Sequence, residues 1–171
     1  MRVRLEPPSP IREREFLEGV RRSRRLFGRW EAPPSTPQAY RAYLRRRGTP
    51  THEGRFVVLR SSDELVGVIN LNEIVRGVFQ SAYLGYYAFT PHAGRGYMRE
   101  GLTLVLRWAF GELRLHRVEA NIQPGNEASL ALVRRLGFRR EGLSPRYLKI
   151  AGRWRDHERW ALLAEEWRRG L

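Results

Sequence analysis

At 171 residues, with 42% hydrophobic and 11% aromatic content, the chain is long enough for one domain with a sizeable core, and one domain over residues 1–171 is expected. It has no cysteine, which excludes disulfides, thiolate metal sites and a cysteine nucleophile, so any acyl transfer must be direct or use another group. Its 32 basic residues against 18 acidic ones give a net charge of +14, a field that favours encounter with polyanions such as RNA or a polyphosphate cofactor. The arginines are nevertheless spread along the whole chain, and none of their clusters is interleaved with aromatics in a nucleic-acid motif. No apolar run approaches membrane-helix length and Met1-Arg-Val-Arg-Leu-Glu-Pro-Pro8 is no signal segment, so a cytoplasmic protein without a membrane partner is expected.

Val3 to Leu5 reads as a short strand stopped by Pro7 and Pro8. Ser9-Pro10 then opens a helix from Ile11 through Arg25, with Ile11, Glu15 or Phe16, Val20 and Leu26 at helical spacing. The loop Phe27 to Pro34 is free to line a groove, and Ser35-Thr36 caps a second helix over about Pro37 to Arg47, with Tyr40, Tyr43 and Leu44 on one side. From Gly54 the period changes to two: Arg55–Arg60 and Leu65–Leu71 form a hairpin around Ser61–Glu64, and Val78–Phe89 is a further strand.

That strand runs into Thr90-Pro-His-Ala-Gly-Arg-Gly96, after which Met98–Phe110 is a helix with Leu102, Val105, Leu106, Ala109 and Phe110 facing a core. Gly94 and Gly96 lack a Cβ, so the backbone there can curl and aim successive N–H groups at one point before a helix N-terminus. Such a turn is either a tight connection or a phosphate site. Leu115–Ile122 is another strand, and Asn126 caps a helix through Leu136 that Gly137 closes. Tyr147–Ile150 and Trp154–Leu163 are two last strands hinged at Ala151-Gly152. The order predicts an α/β fold, a mixed and mostly antiparallel sheet with helices on both faces, the anion turn lying at the C-terminal end of a central strand.

Two motifs then meet. Ala93-Gly-Arg-Gly-Tyr-Met98 opens one helix, and Asn126-Glu-Ala-Ser-Leu130 with Leu136-Gly-Phe138 brackets the next. Together they resemble the GNAT superfamily of acyl-CoA-dependent N-acetyltransferases, whose first motif is Gln/Arg-x-x-Gly-x-Gly/Ala. Tyr83-Leu-Gly-Tyr86, Gly96-Tyr-Met-Arg-Glu100 and Tyr147-Leu-Lys-Ile-Ala-Gly-Arg-Trp-Arg-Asp-His157 are similar to the RimJ/RimL-type ribosomal-protein-alanine N-acetyltransferases, a resemblance running from Val3 to Trp167. Ala93 and Met98 depart from the first motif, which leaves the grip on a phosphate to backbone N–H groups.

The resemblance implies acetyl-CoA as cofactor, held by the backbone of Gly94, Arg95, Gly96, Tyr97, Met98 and Arg99, with the Arg95 and Arg99 side chains near the phosphates or simply solvated. It implies a parallel split in the sheet near that site, where the edge of Tyr87, Ala88 and Phe89 pairs with the pantetheine arm. Asn126 would cap its helix and bind the same arm. Val133 stands where many relatives place a tyrosine, so Ser129 is the nearest hydroxyl for general acid toward the thiolate. Asn121 falls where some relatives carry a glutamate, which leaves Glu73, acting through a water, as the base; His116 and His157 are further candidates by residue type but are read as structural. Tyr147, Trp154 and Asp156 would shape the acceptor groove, and no metal is implied. An α-amino group, with a pKa near ~8, needs less help from a base than a lysine near ~10.4, which favours a protein N-terminus, a ribosomal protein among them, as acceptor. A small-molecule amine is the alternative acceptor. A non-catalytic protein associated with ribosomes or RNA through its basic surface is the alternative class, and oligomeric state stays open between monomer and homodimer.

Overall fold

The computed structural model describes residues 1–169. Seven strands form one sheet: β1 (Val3–Glu6), β2 (Glu53–Leu59), β3 (Leu65–Val75), β4 (Ser81–Ala88), β5 (Arg117–Ile122), β6 (Arg139–Ile150) and β7 (Arg153–Leu163). Their spatial order is β1-β2-β3-β4-β5-β7-β6. Every neighbouring pair is antiparallel except β4 and β5, which run parallel over Ser81–Leu84 and Arg117–Ala120. The mixed, mostly antiparallel sheet is therefore as the element order predicts.

Because strand side chains alternate between faces, period two divides the core into two layers. Phe56, Val68, Tyr87 and Phe89 point to one face, where they meet Phe16 and Val20 of α1 (Glu13–Arg22), Phe27 of α2 (Arg24–Phe27), and Tyr40 and Tyr43 of α3 (Pro37–Arg47). Val57, Ile69 and Leu71 point to the other, against Leu102, Val105 and Leu106 of α4 (Tyr97–Gly111) and Leu130 and Val133 of α5 (Glu127–Arg135). The first layer is mostly aromatic: the Phe16 ring lies 4.7 to 5.9 Å from those of Tyr40, Tyr43, Phe56 and Phe89.

Four expectations shift. The first helix is interrupted, a 3-10 turn at Pro10–Arg12 leading into α1 and a break at Ser23 separating α2. Ser23 is fully buried and its Oγ accepts the Thr90 N–H at 2.9 Å, a tie to the far end of β4 that no local pattern announces. Ile11 and Leu26, placed on the apolar side by periodicity, are consequently 92% and 44% exposed. The fourth strand begins at Ser81 rather than Val78, since Val78 is wholly exposed beyond a turn at Gly77. The strand before β7 starts at Arg139 instead of Tyr147: β6 is an edge strand rich in charged residues and mostly uncovered, so it shows no alternation. Finally, β7 is followed by a short α6 (Ala164–Arg169), whose Glu166 accepts the Leu163 N–H.

Arg12 fastens the entry to α1. It is 14% exposed and binds Glu6 of β1, Glu15 of α1 and Asp63 of the β2–β3 turn at 2.7, 2.7 and 3.1 Å. Burial works against a charged Glu6, but the Arg12 and Arg4 guanidinium groups outweigh it and hold the carboxyl below its usual range. We expect Arg12→Met to cost about 2 kcal/mol in denaturant unfolding at pH 7. Arg14→Met, which removes an exposed pair with Glu18, should cost under about 0.5 kcal/mol. A depressed carboxylate stabilises the fold above its unfolded pKa, so the Arg12 effect should shrink as pH falls below about 4.

Candidate active site

The site is a gap between two strands. β4 pairs with β5 only as far as Leu84 and Ala120, while on its other side it stays paired with β3 up to Ala88 and Gly67. The Phe89 N–H continues that ladder, donating to the Val66 carbonyl at 2.7 Å. Backbone polar groups alternate between the two edges of a strand, so Tyr87 and Phe89 turn theirs toward β3, whereas Tyr86 and Ala88 turn theirs into the gap. The open edge expected of Tyr87, Ala88 and Phe89 is thus carried by Ala88 and Tyr86; the Tyr87 and Phe89 rings belong to the aromatic core.

Past β4 the chain enters the turn. Gly94 and Gly96 have φ of +77° and +81°, in the left-handed region that side chains resist, and a Cβ at Gly94 would meet nothing within 4 Å. Gly96 is the N-cap of the 15-residue α4, and the first-turn N–H groups behind it have no intrahelical acceptor. Arg95 and Arg99 are exposed and, among the described residues, have no ion-pair partner. Met98 contributes only its backbone, its side chain being buried where a Cβ on Gly67 would lie 2.7 Å from its sulfur. Arg2, just ahead of β1, braces the turn: it pairs with Glu100 at 2.6 Å, donates to the Arg95 carbonyl at 3.1 Å and lies 4.5 Å over the Tyr97 ring.

Where β4 and β5 diverge lies a cavity of about 320 Å³. Asn126 caps α5 by accepting the Ser129 N–H at 3.3 Å, and the Ser129 Oγ sits 2.6 Å from the Tyr86 hydroxyl. Burial raises the Tyr86 phenol well above its ordinary range, so it stays protonated and can donate. His157 also lines the wall; burial lowers its pKa and its Nδ1 lies 2.9 Å from the Arg155 carbonyl, a structural, neutral histidine. Tyr147 borders the space through Tyr83, whose phenol it helps push up to about 12. Trp154, 60% exposed, and Asp156, whose Oδ1 accepts the Arg146 N–H, do not line this cavity; Leu148 and Ile150 of β6 do. Glu73 does reach it, yet its Oε1 is held by His52 and Arg46 at 3.2 and 3.3 Å.

Sequence reasoning passed over two residues here. Tyr86 pairs with Ser129 across the gap, a contact 43 residues apart in sequence. Glu31, in the loop before α3, lines the cavity beside Trp30, and burial pushes its carboxyl up to about 7. A wider depression of about 490 Å³ lies by Phe110 and Gly111 at the other end of α4, about 20 Å from the turn at its N-terminus.

Residues 2–139 match the model of a family described as an acetyltransferase (GNAT) domain. The chain belongs to the GNAT acetyltransferase family. It is 42% identical over 107 residues to the [Ribosomal protein uS5]-alanine N-acetyltransferase of Escherichia coli, covering 63% of this chain and 55% of that protein. It is 41% identical over 112 residues to the probable N-acetyltransferase YjcK of Bacillus subtilis, covering 66% and 61%. Those two matches therefore span less than two thirds of either relative. Among solved structures, Mycobacterium smegmatis RimJ in complex with CoA-disulfide superposes with a TM-score of 0.83 at 29% identity, over 96% of this chain and 83% of that one.

The GNAT family uses acetyl-CoA, and the residues of this chain fit that group at three points. The turn of two left-handed glycines, with open space outside Gly94, can receive a pyrophosphate on bare N–H groups, the Tyr86 and Ala88 edge can receive an amide-bearing arm, and the paired Tyr86 and Ser129 hydroxyls can face a thioester. Because the grip is on the backbone, we expect Gly96→Val to weaken acetyl-CoA binding at least ~10-fold by calorimetry, through a strained φ and crowding of Arg2, which would lie 3.3 Å from the new Cβ. Arg95→Ala should change it less than about threefold, as for an exposed, screened charge.

Proposed function

We propose that this chain is an acetyl-CoA-dependent N-acetyltransferase whose acceptor is the α-amino group at a protein N-terminus, with ribosomal proteins as the acceptor class. The reading rests on one observation, the Tyr86 hydroxyl 2.6 Å from the Ser129 Oγ at the end of an open strand edge. Bound acetyl-CoA supplies an activated acetyl group and a thiolate leaving group. Ser129 and Tyr86 would hold the proton that the leaving sulfur requires, Ser129 as donor and Tyr86, hydrogen-bonded to it, replenishing it, in the manner of general acid catalysis. Asn126, engaged with the Ser129 N–H, fixes the position of that hydroxyl. Gly94 to Arg99 and Ala88 orient the donor, and the cavity side bounded by Tyr83, Leu148 and Ile150 receives the amine. Transfer runs directly from thioester to amine in this reading: the chain has no cysteine to carry an acyl group, and Ser129 serves as proton donor rather than nucleophile. The protein acceptor is suggested by the name of one relative, the [Ribosomal protein uS5]-alanine N-acetyltransferase of Escherichia coli. Exposed arginines of α1 and α2, Arg21, Arg22, Arg24 and Arg25, would aid encounter with such an acceptor on RNA.

A polyamine is the second acceptor class, favoured by two carboxylates, Glu31 and Glu73, on one small cavity. A panel separates the two: a peptide with a free N-terminal alanine, the same peptide blocked at its N-terminus but bearing a lysine, and spermidine. We expect mass spectrometry to find acetyl on the first alone; label on spermidine and on neither peptide would overturn the assignment. Ser129→Ala should lower kcat ~10- to 100-fold with acetyl-CoA affinity within about threefold, and Tyr86→Phe should fall between it and wild type. Wild-type kcat in Ser129→Ala would remove Ser129 from the chemistry.

A further inference from the structure

We infer that Glu31 is the carboxylate that receives the acceptor's ammonium group and takes its proton. The inference rests on the acetyltransferase reading above and names a group that reading lacks, since Glu73 is engaged elsewhere.

The position of Glu31 is built rather than incidental. The Gln123 side chain, buried at the end of β5, donates through Nε2 to the Arg29 and Trp30 carbonyls at 3.2 and 3.3 Å. The Trp30 ring would lie 3.8 Å from a Cβ on Gly125, and the Arg29 guanidinium lies 4.4 Å over that ring. The loop before α3 is thereby fastened across the β4–β5 gap, and Glu31 enters the cavity wall with Tyr86 and Ser129. Its charge is felt at the Tyr86 and Tyr87 hydroxyls.

In a chain so rich in arginine, most acids find a cation. Among the described residues each carboxylate has an ion-pair or hydrogen-bond partner except Glu31, Glu112 and Glu127. The last two are exposed, whereas Glu31 is half-buried in the site. An unpaired, half-buried carboxylate within a protein of net charge +14 can accept a cation that the described residues do not supply. An N-terminal ammonium is such a cation, compact enough for a cavity of about 320 Å³.

The groups facing Glu31 from the surrounding elements leave the proton to it. From β4, Tyr83 and Tyr86 are phenols raised above their ordinary range; from β3, Glu73 is paired with His52 and Arg46; from β7, His157 is held neutral with its Nδ1 against a carbonyl. α5 contributes only the uncharged Asn126 and Ser129. A carboxyl that binds its proton until about pH 7 lies within about a unit of an α-ammonium near ~8, so transfer between them is nearly balanced. In that step an ammonium N–H bond breaks, a Glu31 O–H bond forms, and the electron pair stays on nitrogen for attack on the acetyl carbon. Glu31 returns the proton to solvent through the cavity mouth.

The test compares wild type with Glu31→Gln and Glu31→Asp on the alanine-starting peptide, with acetyl-CoA binding as the measure of an intact fold. We expect E31Q to lower kcat/KM at least ~10-fold and to move the acid limb of its pH profile from about 7 up to that of the amine, about 8, with E31D recovering part of the rate. With CoA present, calorimetry should show E31Q weakening the free-amine peptide but not its N-acetylated form. Activity within twofold of wild type, an unmoved limb, or equal loss for both peptides overturns the inference. If E31Q no longer binds acetyl-CoA, a carbon-13 titration of the wild-type Glu31 carboxyl decides. A midpoint near 7 that moves on adding the free-amine peptide supports the role, and one in the ordinary carboxylate range overturns it. A wild type inert toward every peptide but active on spermidine sinks the N-terminal assignment alone, and Glu31 is then scored by the same variant ratio on spermidine.

Discussion

The site depends on a parallel pairing that is too short. β4 and β5 share only Ser81–Leu84 and Arg117–Ala120, and each is then drawn away by a stronger partner. β4 follows β3 because Tyr87 and Phe89 are committed to the aromatic layer with Phe16, Phe27 and Tyr40; β5 follows β7, to which it stays paired through Ile122 and Glu158. The two commitments pull in different directions, so the hydrogen bonds of Tyr86 and Ala88 on the open edge are never made within the sheet. Unpaired backbone groups are normally a liability at a sheet edge. Here they lie beside a cavity and near a helix N-terminus, where an extended ligand rich in amides and phosphate would satisfy them.

Polar groups in the gap are satisfied in a graded way. Asn126 answers the Ser129 amide, Ser129 answers Tyr86, Gln123 answers the carbonyls before Glu31, and His157 answers Arg155. Each of these locks a side chain that would otherwise turn. The Glu31 carboxylate and the turn N–H groups remain unanswered and have opposite polarity: on the proposed reading the first suits a cationic amine and the second a phosphate. A bifunctional site of this kind orients two unlike reactants without excluding either.

Sequence was informative wherever the cause is local. Gly94 and Gly96 announce the turn because few other residues tolerate such φ values, Asn126 announces its helix through the cap it forms, and Leu102, Val105 and Leu106 announce α4 by period. Long-range causes were silent. Ser23 breaks a helix for the sake of Thr90, Tyr86 finds Ser129 across a gap, and Glu31 is distinctive only for the arginine it does not meet. The edge strand β6 escaped for a different reason: with little of it buried, selection for alternation is weak and its first half reads as loop. Trp154 and Asp156 were placed in the groove by resemblance, yet the hairpin turns Leu148 and Ile150 there instead.

The Arg2 brace has a thermodynamic meaning. A loop with two left-handed glycines has many conformations to lose, and a ligand that ordered it would forfeit affinity in doing so. By contacting the Arg95 carbonyl, Glu100 and the Tyr97 ring at once, Arg2 restrains the turn within the folded chain itself, with no ligand needed to order it. The entropy of that ordering is thereby charged to the stability of the fold, and recognition of the anion begins from a template already set.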